Sequence, residues 1–356
     1  MVSSFLMPKK LSPLLLAVVS GLLLGFSWYW HLSFLIFIAW VPLLMAEEHI
    51  SQHPSVRKPV LKLLGVSALC FLIWNLIVTW WVSYASLGGA LFAFAGNTVL
   101  MSLVFLIYSR FKQVMGTTHA AYLLIPVWIA WEYLHMSWDL TWPWLTLGNV
   151  FAQQTNWIQW YEFTGTSGGS VWVLLVNILV FYILRYSRRL TLFSPAILKM
   201  AALILLPVLV SMVLLFLRTP RFRKGGGLSV VVVQPNIDPY NSKFSSSFNE
   251  QFDKTLALIN NKVDQYTDYL VLPETFITSD INEEDPEGNE SIQLIREKIC
   301  EHFPRLKVIT GASSYVIYKT AETSTARKSE QGFYYDMYNT ALQIDSAGIQ
   351  IYHKSK

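Results

Sequence analysis

The stretch LVLPETFI, residues 270–277, decides how the second part of this chain folds. With Tyr269 before it, the run Leu270, Val271, Leu272 has the length and apolarity of a buried strand. Pro273 cannot donate to a sheet ladder and ends the run. Glu274 follows at once, so a carboxylate stands at the exit of a buried strand.

The neighbouring sequence supplies the rest of a layered domain. LSVVVVQPNI (228–237) reads as an earlier strand. Phe248, Phe252, Leu256, Ile259 and Val263 recur at helical spacing, and Ser247 with Glu250 three residues on forms a capping-box pattern. Ile292, Ile295, Ile299 and Phe303 stripe a second helix. LKVITGASSY (306–315) is a third strand, and YNTALQID (338–345) with IQIYHK (349–354) forms a hairpin across Ser346-Ala347-Gly348. This order predicts an α/β layered domain with its chemistry at strand ends, where Glu274 lies.

Upstream the composition changes sharply. All 14 tryptophans precede residue 200, and of the acidic residues only Glu47, Glu48, Glu132, Asp139 and Glu162 precede Arg218. Charged residues make up 14% of the chain, against roughly 25% in an ordinary soluble domain. The division predicts a membrane part over 1–217, a linker over 218–227 containing the basic, glycine-ended RFRKGGG (221–227), and a polar domain over 228–356. Crossing the hydrocarbon core takes about 20 apolar residues. Runs near that length fall at roughly 11–28, 32–46, 61–82, 89–109, 119–135, 168–185 and 200–217, seven in all. Lys9 and Lys10 ahead of the first run also fit a signal peptide, but no small-residue cleavage site follows and a second run comes at once, so the first is read as retained.

Lys9, Lys10, Arg57, Lys58, Lys62, Arg110, Lys112, Arg185, Arg188, Arg189 and Lys199 all fall before the first run or in every second connection, and the alternate connections hold no lysine or arginine. The positive-inside rule then places the N-terminus in the cytoplasm and, after seven crossings, the polar domain outside. In a cell with two membranes this predicts an inner-membrane protein with a periplasmic domain. The long outer connection 136–167 carries Trp138, Trp142, Trp144, Trp157, Trp160 and Tyr161. It reads both as an aromatic belt at the headgroup level and as a surface shaped for lipid, two compatible readings. Glu132 is costly in lipid and must face protein or water, as a partner for a polar loop group or as part of a site.

Several function classes are disfavoured. A net charge of +4, spread over loops, gives no nucleic-acid signal, and seven scattered histidines give no metal-ligand spacing, so no cofactor or metal is expected. Cys70 and Cys300 make no disulfide framework. The spans lack the paired repeats of a transporter.

The words VVQPNI, LVLPETFI, VITGASSY, YYDMYNTALQID and YHKSK, in this order, resemble the nitrilase (carbon–nitrogen hydrolase) superfamily. With the preceding spans and the outer-loop WPWLTLGN (142–149), the chain resembles the apolipoprotein N-acyltransferase family along nearly its whole length. The resemblance implies a nitrilase-like α-β-β-α sandwich, here incomplete. It implies Glu274 as general base and Lys354, in Tyr352-His353-Lys354, as the oxyanion-stabilising cation. Lys356, two residues past that word, is rejected. The aromatics Trp142, Trp144 and Phe244 are implied to contact substrate, although Phe244 stands where many members carry Trp.

The implied reaction takes an acyl chain from a phospholipid donor through a thioester and passes it to the diacylglyceryl-cysteine of an apolipoprotein, with both substrates held at the membrane lipid. Its cysteine nucleophile belongs in a later Cys-Tyr-Glu word. The chain stops at Lys356 before that word, so the expectation is a truncated enzyme, inactive as written. Cys300, on a helix flank, shows no means of becoming a thiolate and is not expected to substitute. A membrane-anchored amidase of the same superfamily and an inactive lipid-binding relative are the alternatives.

Overall fold

The computed structural model describes residues 11–29, 31–52, 56–116, 119–186, 191, 193–222, 227–237, 247–260 and 262–355, without the side chains of 218–222 and 354–355. It divides into two compact units, Met1–Lys224 and Gly225–Lys356.

The first unit is helical: α1 (Pro13–Phe26), α2 (Ile36–Ala39), α3 (Val41–Gln52), α4 (Pro59–Thr79), α5 (Leu87–Met115), α6 (Leu124–Met136), α7 (Tyr161–Tyr186) and α8 (Pro195–Phe222). Five segments are long and apolar enough to cross a membrane: Ser33–Gln52, Pro59–Tyr84, Leu87–Met115, Tyr161–Tyr186 and Pro195–Leu217. Of the seven expected spans, the first and fifth fall short. The 14 residues of α1 rise only about 21 Å, less than a hydrocarbon core of about 30 Å. The 13 residues of α6 are extended only by the 3₁₀ turn Ala120–Leu123. The helix of the sixth expected span, α7, starts at Tyr161 rather than near 168, because one turn precedes a break at Gly165, where φ is 62°. The last helix runs to Phe222, so the backbone of the first half of the expected linker is helical.

Apolar packing alone does not hold this unit. Trp40, Phe71, Phe105 and Trp128 form a buried aromatic cluster, with Trp40 edge-on to Trp128 at 4.6 Å. Beside it, the Asn177 amide accepts from the Trp40 backbone N–H (2.9 Å) and donates to the carbonyls of Ile36 (2.7 Å) and Val173 (2.8 Å). One α7 side chain thereby serves the backbone groups freed where α2 passes into α3. Glu47 and Glu48 are buried but partnered. Glu47 accepts from Lys112 and from Ser109 (2.8 Å), and Glu48 pairs with Arg185 at 2.9 Å. Buried carboxylates survive in such an interior only when paired in this way.

The second unit is one mixed sheet with helices. Its strands are β1 (Val230–Val232), β2 (Tyr269–Val271), β3 (Ile281–Asn282), β4 (Lys307–Tyr318), β5 (Arg327–Lys328), β6 (Tyr334–Ile344) and β7 (Ile349–Ser355). The path β1-β2-β4-β6-β5 is joined by β3 on β4 and β7 on β6. The β1-β2-β4 pairs are parallel, and β4-β6-β7 are antiparallel. The two helices are α9 (Phe248–Ile259), capped by Ser247 as expected, and α10 (Glu290–Ile295), which continues through a π turn to Cys300.

Successive parallel strands step across the sheet in one direction. Right-handed crossovers then place both helices on the same face. Phe252, Ile259, Ile292 and Ile295 accordingly pack with Leu270, Val308, Leu342 and Ile344. The opposite face is open within this unit: Val230 and Val232 are 50% and 72% exposed, and Asn339 and Ala341 are exposed too. Among the described residues the expected sandwich is therefore represented by one sheet and one helical layer.

Candidate active site

Glu274 leaves the end of β2 as the sequence predicts, and the local backbone explains how it is presented. Leu272 N still donates to Ile309 O (2.8 Å), so the strand is paired up to Pro273. Thr275 then adopts φ 49°, turning the chain sharply, and Ile277 N re-engages the sheet at Gly311 O (3.2 Å). Gly311 on β4 makes room for this turn. A β-carbon there would lie 2.8 Å from Thr275 N and 2.9 Å from Glu274 Cα, too close for any side chain without backbone movement.

The Glu274 carboxylate accepts from Asn339 Nδ2 at 3.0 Å. Asn339 sits on the open face of β6, and the β6-β7 register sets Lys354 directly opposite it, with Ser313 of β4 opposite on the other side. Two residues 80 positions apart in sequence, Glu274 and Lys354, thus reach a single row of the sheet by way of Asn339. The Lys354 side chain, Phe244 and Lys356 lie outside the described residues. A cleft of about 160 Å³ borders Glu274, Pro273 and Phe276 on one side and Gln234 to Ile237 on the other. Glu274 itself is exposed. The carboxylate projects at the open face of the sheet, and this unit's described residues do not screen it from water.

Cys300 behaves as expected of a packing residue. It is 1% exposed, its Sγ faces Ile344 O at 3.8 Å, and burial, reinforced by Asp345, pushes its thiol up to about 11. It lies on the helix-covered side of the sheet and offers no thiolate.

The connection between α6 and α7 is a built structure rather than a slack belt. Glu132 Oε1 accepts from Leu147 N (2.8 Å) and Trp128 Nε1 (3.2 Å), Tyr161 OH donates to Gly148 O (2.9 Å), and Gly148 N donates to Ser170 Oγ (3.0 Å). Of the two readings of Glu132, partner of a polar loop group is the one its contacts match. Trp142 is half-buried and its backbone N–H donates to His135 O (3.3 Å). Trp144 is 50% exposed and edge-on to Trp81. Trp142 and Trp144 belong to one unit, and Glu274 and Lys354 to the other.

Sequence reasoning missed Asn339 and Gly311. Both lie inside words it had marked, YNTALQID and VITGASSY. The hairpin register, counted back from Ser346-Ala347-Gly348, was the signal that pairs Asn339 with Lys354.

A polytopic helical unit followed by a mixed α/β sheet, with a carboxylate at a strand exit, defines a membrane protein carrying an enzyme-like domain. The similarities narrow this class. Residues 20–179 match the apolipoprotein N-acyltransferase N-terminal domain. An apolipoprotein N-acyltransferase of Chlorobaculum tepidum is 27% identical over 352 residues, covering 97% of this chain and 64% of its own length. The chain therefore spans about two thirds of the curated relative it matches. The second similarity runs through both units, and the first lies within the helical unit.

Proposed function

We propose that this chain forms the membrane platform and the base-bearing part of an enzyme that N-acylates the diacylglyceryl-cysteine terminus of apolipoproteins with an acyl chain from a phospholipid. The observation that carries this reading is the Glu274–Asn339–Lys354 row across the open face of the sheet, in a chain similar over both units to an N-acyltransferase.

In this mechanism Glu274 takes the proton of a cysteine thiol. The thiolate attacks the donor ester, and the resulting tetrahedral oxyanion is stabilised by the Lys354 ammonium. Collapse gives an enzyme thioester, and the protonated Glu274 returns its proton to the leaving alkoxide, which departs as the hydroxyl of a lysophospholipid. The lipoprotein α-amine then attacks the thioester and yields its proton to Glu274; the C–S bond breaks, an amide forms, and Glu274 returns the proton to the departing cysteine thiolate. Asn339 donates to the Glu274 carboxylate and fixes its rotamer, so the base is oriented before substrate arrives. The thiol is neither Cys70 nor Cys300, both of which are buried. On the reading of seven crossings with a cytoplasmic N-terminus, in which the short helices α1 and α6 also cross, the sheet unit lies in the periplasm of an inner-membrane protein.

The test is product identity. Membranes carrying the complete gene product are given a phospholipid labelled in its sn-1 chain and a diacylglyceryl-cysteine lipopeptide. The proposal predicts a labelled triacylated lipopeptide and lysophospholipid. Labelled free fatty acid would support the amidase-like alternative, and lipopeptide binding without turnover would support the lipid-binding one.

A further inference from the structure

The row of Glu274, Asn339 and Lys354 has a counterpart on the other face of the sheet. Strand alternation puts Tyr338, Thr340 and His353 there, each next in sequence to Asn339 or Lys354. Thr340 and His353 also stand opposite one another in the β6-β7 register.

These residues converge on one carboxylate. Glu283 follows β3, and its N–H donates to Tyr315 O on β4 (3.1 Å). Its side chain is 11% exposed, and Oε2 lies 2.9 Å from His353 Nδ1. An ionised carboxylate can only accept, so Nδ1 carries a proton whether the imidazole is neutral or charged. Glu283 Oε1 accepts from Ser314 Oγ on β4. That uses the serine proton, so in the bond between Ser314 Oγ and Thr340 Oγ1 on β6 the threonine donates. The imidazole also stacks on Tyr338, with ring centroids 3.9 Å apart, and Tyr338 OH bonds Tyr318 OH at 3.0 Å. Glu283 thereby ties the end of β3 to β4, β6 and β7.

The β6-β7 register is set at the turn, where Asp345 Oδ1 accepts from Ala347 N and Gly348 N and Ile344 faces Ile349. Lys354 lies at the far end of β7 from that turn, and among the described residues β7 pairs only with β6. A slip of one residue there would carry position 354 to the helix-covered face, away from Asn339. The bonds of His353 are made only in the observed register.

We propose that Glu283 and His353 are positioning residues, which clamp the far end of β7 from the helix-covered face and so keep Lys354 opposite Asn339 in the row. The consequence for catalysis rests on the acyl-transfer reading above; the clamp itself does not.

The experiment compares two variants of the complete gene product in detergent. His353→Phe keeps a ring to stack on Tyr338 and removes the Nδ1 donor. His353→Asn gives up the ring and keeps an N–H donor near the place of Nδ1. Hydrogen exchange, read by peptide mass spectrometry, compares residues 353–355 with 349–351. In His353→Phe, exchange at 353–355 should quicken about three- to ten-fold while 349–351 stay protected, and His353→Asn should restore the protection. In acyl transfer from labelled phospholipid to lipopeptide, His353→Phe should lower kcat about 10- to 100-fold with KM unchanged, and His353→Asn should return it to within about threefold of wild type. Glu283→Leu removes the same bond from the other side, and adding His353→Phe to it should cost little more. Unchanged exchange at 353–355 in His353→Phe would overturn the proposal. So would faster exchange spread evenly over 349–355, the mark of ordinary packing, or a loss of kcat that His353→Asn does not recover. Wild-type protein that makes no triacylated lipopeptide would refute acyl transfer, and the exchange result would then decide the clamp by itself.

Discussion

Gly311→Ala tests how the strand-end carboxylate is held. The alanine β-carbon would stand 2.8 Å from Thr275 N and 2.9 Å from Glu274 Cα, both backbone atoms that no rotamer change can move away. Ordinary contact begins near 3.4 Å, so the turn must retreat by the difference, about 0.6 Å. The Ile277 N–H to Gly311 O bond, 3.2 Å long, would then approach 3.8 Å, outside hydrogen-bonding range. Overpacking of this kind costs about 1–3 kcal/mol. Hydrogen exchange on the full chain should show Ile277 protection reduced about three- to ten-fold. Leu272, bonded to Ile309 O at 2.8 Å before the turn, should keep its protection. Because the same displacement carries Glu274, acyl transfer in the complete gene product should fall about 10- to 100-fold. A folded Gly311→Ala protein with unchanged Ile277 protection would refute the account of the turn.

Other positions give independent tests. Asn177→Leu removes the amide that serves Trp40 N and Ile36 O, and should lower stability in detergent by about 1–3 kcal/mol, read as a drop in Tm. Lys112→Met leaves Glu47 buried without its cation and should cost about 3–5 kcal/mol, whereas Lys112→Met with Glu47→Gln should recover much of the loss in a double-mutant cycle. With its thiol raised to about 11, Cys300 should be about 0.1% thiolate at pH 8, so alkylation in the folded chain should run more than a hundredfold slower than for a free thiol and quicken as pH rises toward 11. Rapid labelling of Cys300 at pH 8 without unfolding would contradict its burial.

The sheet unit was legible where residues repeat at a fixed period. Phe248, Phe252 and Ile259 announced α9, and strands separated by helices announced an α/β layered domain, though not its strand order. The first strand came out shorter than its apolar run, 230–232 rather than 228–237, because Pro235 offers no donor and Asn236 turns with φ 50°. The two-residue strands β3 and β5 carry too few residues for any period to register. In the membrane unit, hydropathy located every helix but not its usable length, which depends on breaks such as Gly165. Counting lysines and arginines could not show that Lys112 and Arg185 are held by Glu47 and Glu48, since those pairs join helices distant in sequence. In the candidate site, the position of Glu274 was visible from the apolar run ended by Pro273, and its role came from the family resemblance. Asn339 was not, because only the folded register brings it to the carboxylate.

The most direct test of the central claim is single-turnover acyl transfer by the complete gene product, comparing wild type with Glu274→Gln, which keeps the side chain's shape and an acceptor for Asn339 but cannot take a proton. The account predicts that the variant forms neither thioester nor N-acylated lipopeptide, with folding and lipid binding retained. Thioester formation at the wild-type rate in Glu274→Gln would contradict it.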